Sequence, residues 1–145
     1  MKKVAEPTIA LERADARAVA RFLWNGLIRF NRSKTGMSGY ERVVLAARNA
    51  RGRIVGGVIV ESYYRESYVE LLWVDERSRH AGLGSRLIEA AERRARRRGS
   101  RLIHLNTYSF QAPRFYERLG FRRFGGMRGS PPGASRHYYV KRLAR

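Results

Sequence analysis

The chain has no cysteine, only four prolines and three histidines, and 12 acidic residues against 31 basic ones. Without cysteine there is no disulfide framework, no thiolate metal site and no thiol nucleophile. His80, His104 and His137 are scattered along the sequence, so no metal centre is expected. No apolar run approaches the roughly 18 residues that a membrane-spanning helix requires. Met1-Lys2-Lys3 gives way to Glu6-Pro7 with no apolar segment between, which argues against a signal peptide. A cytoplasmic protein with no membrane partner is the expectation.

What is present is enough for a core. At 145 residues, 43% of them hydrophobic, the chain is long enough to fold as one domain spanning 1–145 and too apolar to be disordered. The net charge of +19 is extreme, and all but four of the basic residues are arginine. Such a field draws anions over the whole surface. It is compatible with a nucleic-acid partner, and equally with an arginine-rich composition acting on every exposed position. Much of the arginine falls on one segment, Arg86 to Arg98, where Glu89–Arg93 and Glu92–Arg96 are spaced as i,i+4 pairs on a solvated helix face.

Periodicity orders the chain into alternating elements. Thr8–Leu11 reads as a short first strand. Asp15 starts a helix running to about Phe30, with apolar positions Val19, Phe22, Leu23, Leu27 and Phe30 at spacings of three and four. Asn31 to Gly39 reads as a polar loop, with a helical turn near Tyr40. Strands follow at Arg42–Arg48, Ile54–Val60 and Tyr68–Val74, the first two joined by the turn Asn49-Ala50-Arg51-Gly52. A helix from Gly84 to about Arg98 ends at Gly99. A strand at Arg101–Leu105 comes next, then a short helix Pro113–Leu119. A last antiparallel pair covers Phe121–Met127 and Arg136–Leu143. The predicted order is βαβββαβαββ, an α/β mixed sheet with helices on both faces and a parallel pair at the fourth and fifth strands.

The most informative stretch is Leu72-Trp73-Val74, followed by Arg79-His80-Ala81-Gly82-Leu83-Gly84-Ser85. A strand ends, a basic turn with two glycines follows, and a helix begins. The first N–H groups of a helix lack carbonyl partners and sit at the positive end of its dipole. Glycine lets a diphosphate approach them without an intervening Cβ. A Walker loop would need Lys-Ser/Thr after its glycines, where Ser85-Arg86 stand. A dinucleotide fingerprint would need a third glycine near position 87, where Leu87 stands.

Arg79-x-x-Gly82-x-Gly84, with Val74 five residues before Arg79, resembles the pyrophosphate loop of the GNAT superfamily of acetyl-CoA-dependent N-acyltransferases. Ala112-Pro113-Arg114-Phe115-Tyr116-Glu117-Arg118-Leu119-Gly120-Phe121 is similar to a second segment of that family. The element order agrees as well, so the resemblance spans nearly the whole chain. It implies acetyl-CoA as co-substrate and acetyl transfer to a primary amine, on a small molecule or a protein lysine or N-terminus. Attack would be direct, within a ternary complex.

The resemblance also implies roles. Arg79, His80, Gly82, Leu83, Gly84 and Ser85 would contact the pyrophosphate, and Leu72, Trp73 and Val74 the pantetheine arm through their backbone. Where the family commonly has an Asn against that arm, this chain has Ser109, with Gln111 close by. Tyr116 would protonate the departing thiolate. A phenol of pKa about 10 suits a thiolate of pKa about 8.5. Some relatives carry a Glu base where Tyr68 stands here, which leaves Glu70 and Glu61 as candidates to relay the amine's proton. Trp24, Asn31, Arg32, Tyr40, Tyr63, His137 and Tyr138 are the candidates to line the acceptor site. An alternative is a basic nucleic-acid-binding or regulatory protein that keeps this fold and has lost catalysis. A homodimer is compatible with either.

Overall fold

The computed structural model describes residues 5–37 and 39–144. The chain divides into two compact units, Met1–Ser38 and Gly39–Arg145.

The first unit holds one helix, α1 (Ala16–Thr35). It is five residues longer than the apolar stripe suggests. Ser33 Oγ donates to the Phe30 carbonyl and Thr35 Oγ1 to that of Asn31, so the polar stretch satisfies itself inside the helix. Gly36, in the left-handed region at φ 65°, then caps it by donating to Arg32 O. The expected strand at Thr8–Leu11 is absent. Those residues carry no regular structure. Pro7 offers no N–H, and a four-residue apolar run has no stability without a paired neighbour.

The second unit is a six-stranded sheet in the order β1-β2-β3-β4-β6-β5. Its strands are β1 (Glu41–Arg48), β2 (Ile54–Tyr63), β3 (Glu66–Val74), β4 (Leu102–Tyr108), β5 (Arg122–Arg128) and β6 (Ser135–Arg142). The observed order is therefore αβββαβαββ, with no helical turn at Tyr40, which leads directly into β1. Every pairing is antiparallel except β3–β4, which is parallel as a helical crossover demands. The crossover is α2 (Leu83–Arg98), and α3 (Pro113–Arg118) follows β4.

One face of this sheet forms the core. Val58 and Val60 of β2, Val69 of β3, and Ile103 and Leu105 of β4 alternate inward and meet Leu87, Ile88, Ala91 and Ala95 of α2. Tyr116 of α3 and Tyr139 of β6 join the same cluster, so α2 and α3 share one side. The expectation of helices on both faces rests on α1, which belongs to the other unit. Glu92 is buried on α2 with its charge met by Lys141 Nζ at 2.6 Å and Arg96 at 3.2 Å.

Ile88 is fully buried at the centre of this cluster. Ile88→Ala is expected to cost about 2–5 kcal/mol of unfolding free energy, read by urea denaturation. A loss below about 1 kcal/mol would show that α2 does not anchor the core.

Candidate active site

The site begins with a defect in pairing. Val60 lies opposite Val69, but Ile59 lies opposite Leu71, so Glu70 is an extra residue in β3. The parallel ladder between β3 and β4 runs from Glu66↔Leu102 to Val69↔Leu105 and stops there, beside the bulge. Beyond that point Leu71–Val74 stays paired with β2, while Asn106–Tyr108 stays paired with β6. The two central strands thus form a fork. Along its β3 arm, Leu71 to Val74 keep the backbone groups on their β4 side unpaired by any strand. That edge can accept an extended amide chain as an added strand would.

At the tip of this arm the chain enters the glycine loop, the candidate anion site. Asp75 N–H bonds to Val55 O at 2.8 Å, and the Asp75 carboxylate accepts from Arg77 N–H at 3.2 Å. A single 3-10 turn, Glu76–Ser78, follows. Arg79 turns back so that its Nε donates to Val74 O at 3.1 Å, fixing the loop to the strand end. His80 and Gly82 both adopt left-handed backbone, at φ 62° and 75°. For His80 this is a sparsely populated conformation of the kind that functional loops retain. Gly82 is the N-cap of α2, and among the described residues no side chain caps the N–H groups that follow at Leu83, Gly84 and Ser85. Gly84 is needed for packing too. A Cβ there would lie 3.2 Å from Phe115 Cζ, so this glycine lets α3 close against the start of α2.

Tyr116 follows on α3. Its ring packs edge-on to Phe115 and Phe121, at centroid distances of 5.0 and 5.9 Å, and it is 8% exposed. Burial, with no charged neighbour acting, pushes its pKa up to about 12. The phenol is therefore fully protonated at neutral pH. Ser109 and Gln111 are engaged in closing the turn after β4. Ser109 Oγ accepts from Ser135 N–H at 3.0 Å. Gln111 Oε1 accepts from Thr107 Oγ1 at 3.1 Å and from Tyr108 N–H at 2.8 Å.

The sheet face opposite the core is polar around the fork. Arg42, Glu61 and Tyr68 stand side by side across β1, β2 and β3. Arg42 grips Glu70 with Nε at 3.0 Å and Nη2 at 3.2 Å, and reaches Glu61 at 3.6 Å. Tyr40 donates to Glu61 Oε1 at 2.8 Å, and its ring lies 5.0 Å from Tyr63. Burial and then the Glu61 carboxylate raise the Tyr40 pKa to about 12, and the same causes raise that of Tyr63. Glu61 is thus ringed by two phenols and a guanidinium, whereas Glu70 is held by one arginine. Tyr138 lies on this outer face, opposite Asn106. His137 does not. It faces the core side opposite Thr107, its Nδ1 buried without a hydrogen-bond partner among the described residues. Trp24, Asn31 and Arg32 lie on α1 in the first unit.

Some of this face was not foreseen. Asn106 Nδ2 donates to Tyr68 Oη at 2.8 Å, and Arg136 Nε donates to Asn106 Oδ1 at 2.8 Å. His104 packs on Tyr68 at 5.2 Å, and burial lowers its pKa against a weaker opposing pull from Glu66. The available signal was alternation in β4, where His104, Asn106 and Tyr108 interleave with buried Ile103, Leu105 and Thr107. Their partners depend on register across β3 and β6.

Comparisons with known proteins agree with this geometry. Residues 39–123 match the acetyltransferase (GNAT) domain family. A blasticidin-S acetyltransferase of Streptomyces morookaense is 45% identical over 94 residues, 64% of this chain and 69% of that protein. The crystal structure of an acetyltransferase from Bacillus cereus superposes with a TM-score of 0.79 at 36% identity, covering 93% of this chain and 98% of that one. A Bacillus anthracis structure holding acetyl coenzyme A shares the fold, with a TM-score of 0.65 at 23% identity over 74% of this chain and 66% of its own. The fork, the glycine loop and these matches lead to one conclusion: the chain belongs to the GNAT acetyltransferase family, whose co-substrate is acetyl-CoA.

Proposed function

We propose that residues 1–145 act as one N-acetyltransferase domain, passing the acetyl group of acetyl-CoA directly to a primary amine. The observation that carries this reading is the fork. It puts an unpaired strand edge, Leu71–Val74, directly before an uncapped helix start at Gly82–Ser85, with the buried phenol of Tyr116 on the adjoining helix. Backbone groups of Leu72, Trp73 and Val74 would bond the pantetheine amides, and N–H groups of Leu83, Gly84 and Ser85 the diphosphate. Arg79 would add positive charge at the loop, and His80 a ring N–H. Ser109 and Gln111 would frame the other arm.

The chemistry has two proton problems. An ammonium of pKa about 10 must lose a proton before its nitrogen attacks the thioester carbon. Glu61, amid Tyr40, Tyr63 and Arg42, is the carboxylate we assign to orient the amine and take that proton through water. Glu70 is the weaker candidate because Arg42 already neutralises it. When the tetrahedral intermediate collapses, the C–S bond breaks and the thiolate takes a proton from Tyr116. The absence of cysteine leaves no thiol to form an acetyl-enzyme. Tyr138 lines the acceptor side. The relative named for blasticidin-S supports a small-molecule acceptor over a protein one.

Tyr116→Phe is expected to lower kcat about 100-fold or more while leaving the acetyl-CoA Kd within a few-fold, measured by thiol release and calorimetry. Because the Tyr116 pKa is raised to about 12, it should contribute no alkaline loss of rate below about pH 10. An unchanged kcat would remove it from the reaction. Glu61→Gln should lower kcat/KM by about 10–100-fold at neutral pH, with recovery as pH rises toward the amine pKa. Glu70→Gln should cost less. Equal losses at every pH would count against Glu61 as the proton's route. Gly82→Ala puts a Cβ on left-handed backbone at φ 75°, and should weaken acetyl-CoA binding by roughly 5–30-fold. Unaltered affinity would mean the loop is not the anion site.

A further inference from the structure

On the outer face of the fork, the guanidinium of Arg136 is oriented by groups that are all uncharged. Arg136 Nε donates to Asn106 Oδ1 at 2.8 Å. Its guanidinium lies 5.5 Å from the ring centre of Tyr108, its ladder partner, and 5.7 Å from that of Tyr138, two residues along the same strand. Asn106 is itself fixed, its Nδ2 donating to Tyr68 Oη at 2.8 Å. This chain of contacts crosses from β6 to β4 to β3 where the β3–β4 ladder ends. Among the described residues, Arg42, Arg94 and Arg96 meet the carboxylates of Glu70, Glu41 and Glu92, whereas Arg48, Arg79, Arg98 and Arg123 donate to backbone carbonyls. Among the described residues no carboxylate pairs with Arg136.

We propose that Arg136 is a specificity-determining residue of the acceptor site, and that the acceptor amine belongs to a molecule that also carries a carboxylate. The inference rests on the amine-acetylation reading above. A guanidinium presents its donors in a planar fork that matches a carboxylate bidentately. With Nε committed to Asn106, the edge formed by Nη1 and Nη2 is left for a ligand. The two tyrosine rings and the asparagine fix its orientation beforehand, so little side-chain entropy is lost on binding. Long-range electrostatics favour the same class. A purely cationic amine approaches a protein of net charge +19 against the field, and a carboxylate on the same molecule offsets that repulsion.

The test uses the full chain and matched probe pairs differing only in charge: β-alanine and β-alaninamide, lysine and lysinamide, phenylalanine and phenylalaninamide. Thiol release with acetyl-CoA gives kcat/KM for each, and calorimetry on the CoA-bound protein gives binding of the same pairs. The carboxylate member should be favoured within a pair, chiefly through KM. Arg136→Gln should shrink that preference by about 10–100-fold. Arg136→Lys, which keeps the charge and loses the planar fork, should restore part of it. No preference in the unmodified protein, a preference that survives Arg136→Gln, or no binding of any carboxylate member would overturn the proposal. Acetyl-CoA turnover with none of the amines, alongside a preserved binding preference, would sink the acetylation reading instead.

Discussion

A single surplus residue organises this molecule. Glu70 has no partner of its own in β2, and next to it β3 and β4 cease to pair. Backbone N–H and C=O groups are obligatory hydrogen-bonding groups, so a strand edge opened in the middle of a sheet is costly unless something else meets it. Here the open edge leads straight to the helix whose first N–H groups are also uncapped. Both sets of unsatisfied groups lie on one path, and a long molecule with amides at one end and phosphates at the other would satisfy both.

The rest of the fold keeps that opening in place. Valines and leucines of β2, β3 and β4 pack on Leu87, Ile88, Ala91 and Ala95, fixing α2 to the three central strands. Gly84 and Phe115 bring α3 close, and Phe115 and Phe121 hold the Tyr116 ring from two sides. Burial then keeps the phenol protonated. The protonated state of this phenol is therefore a consequence of the same packing that seats the helix, with no charged neighbour acting on it. On the opposite face, the guanidinium of Arg42 in β1 reaches both Glu61 of β2 and Glu70, the bulge residue of β3.

Local sequence carried a large part of this. The strand–turn–helix junction was legible because glycine tolerates positive φ and close approach, as Gly82 and Gly84 show. The strands showed through alternation. The strand at Thr8–Leu11 failed because a short apolar run reads alike whether or not a partner edge exists. The helix end at Thr35 failed because Ser33 and Thr35 look like loop residues until their hydroxyls are seen bonding back to the helix carbonyls. His137 was misplaced relative to Tyr138 because register decides which face a strand residue takes. The bulge at Glu70 and the Tyr68–Asn106–Arg136 chain are likewise matters of pairing between distant segments, which no local pattern encodes.

The central claim is that the open β3 edge and the start of α2 together grip acetyl-CoA through backbone groups. Amide hydrogen exchange on the protein with and without CoA tests it directly. The account predicts slowed exchange confined mainly to Leu71–Val74 and Leu83–Ser85, two stretches separated in sequence by the loop that joins them. Saturating CoA that leaves both stretches exchanging at their original rates, while other amides respond, would contradict it.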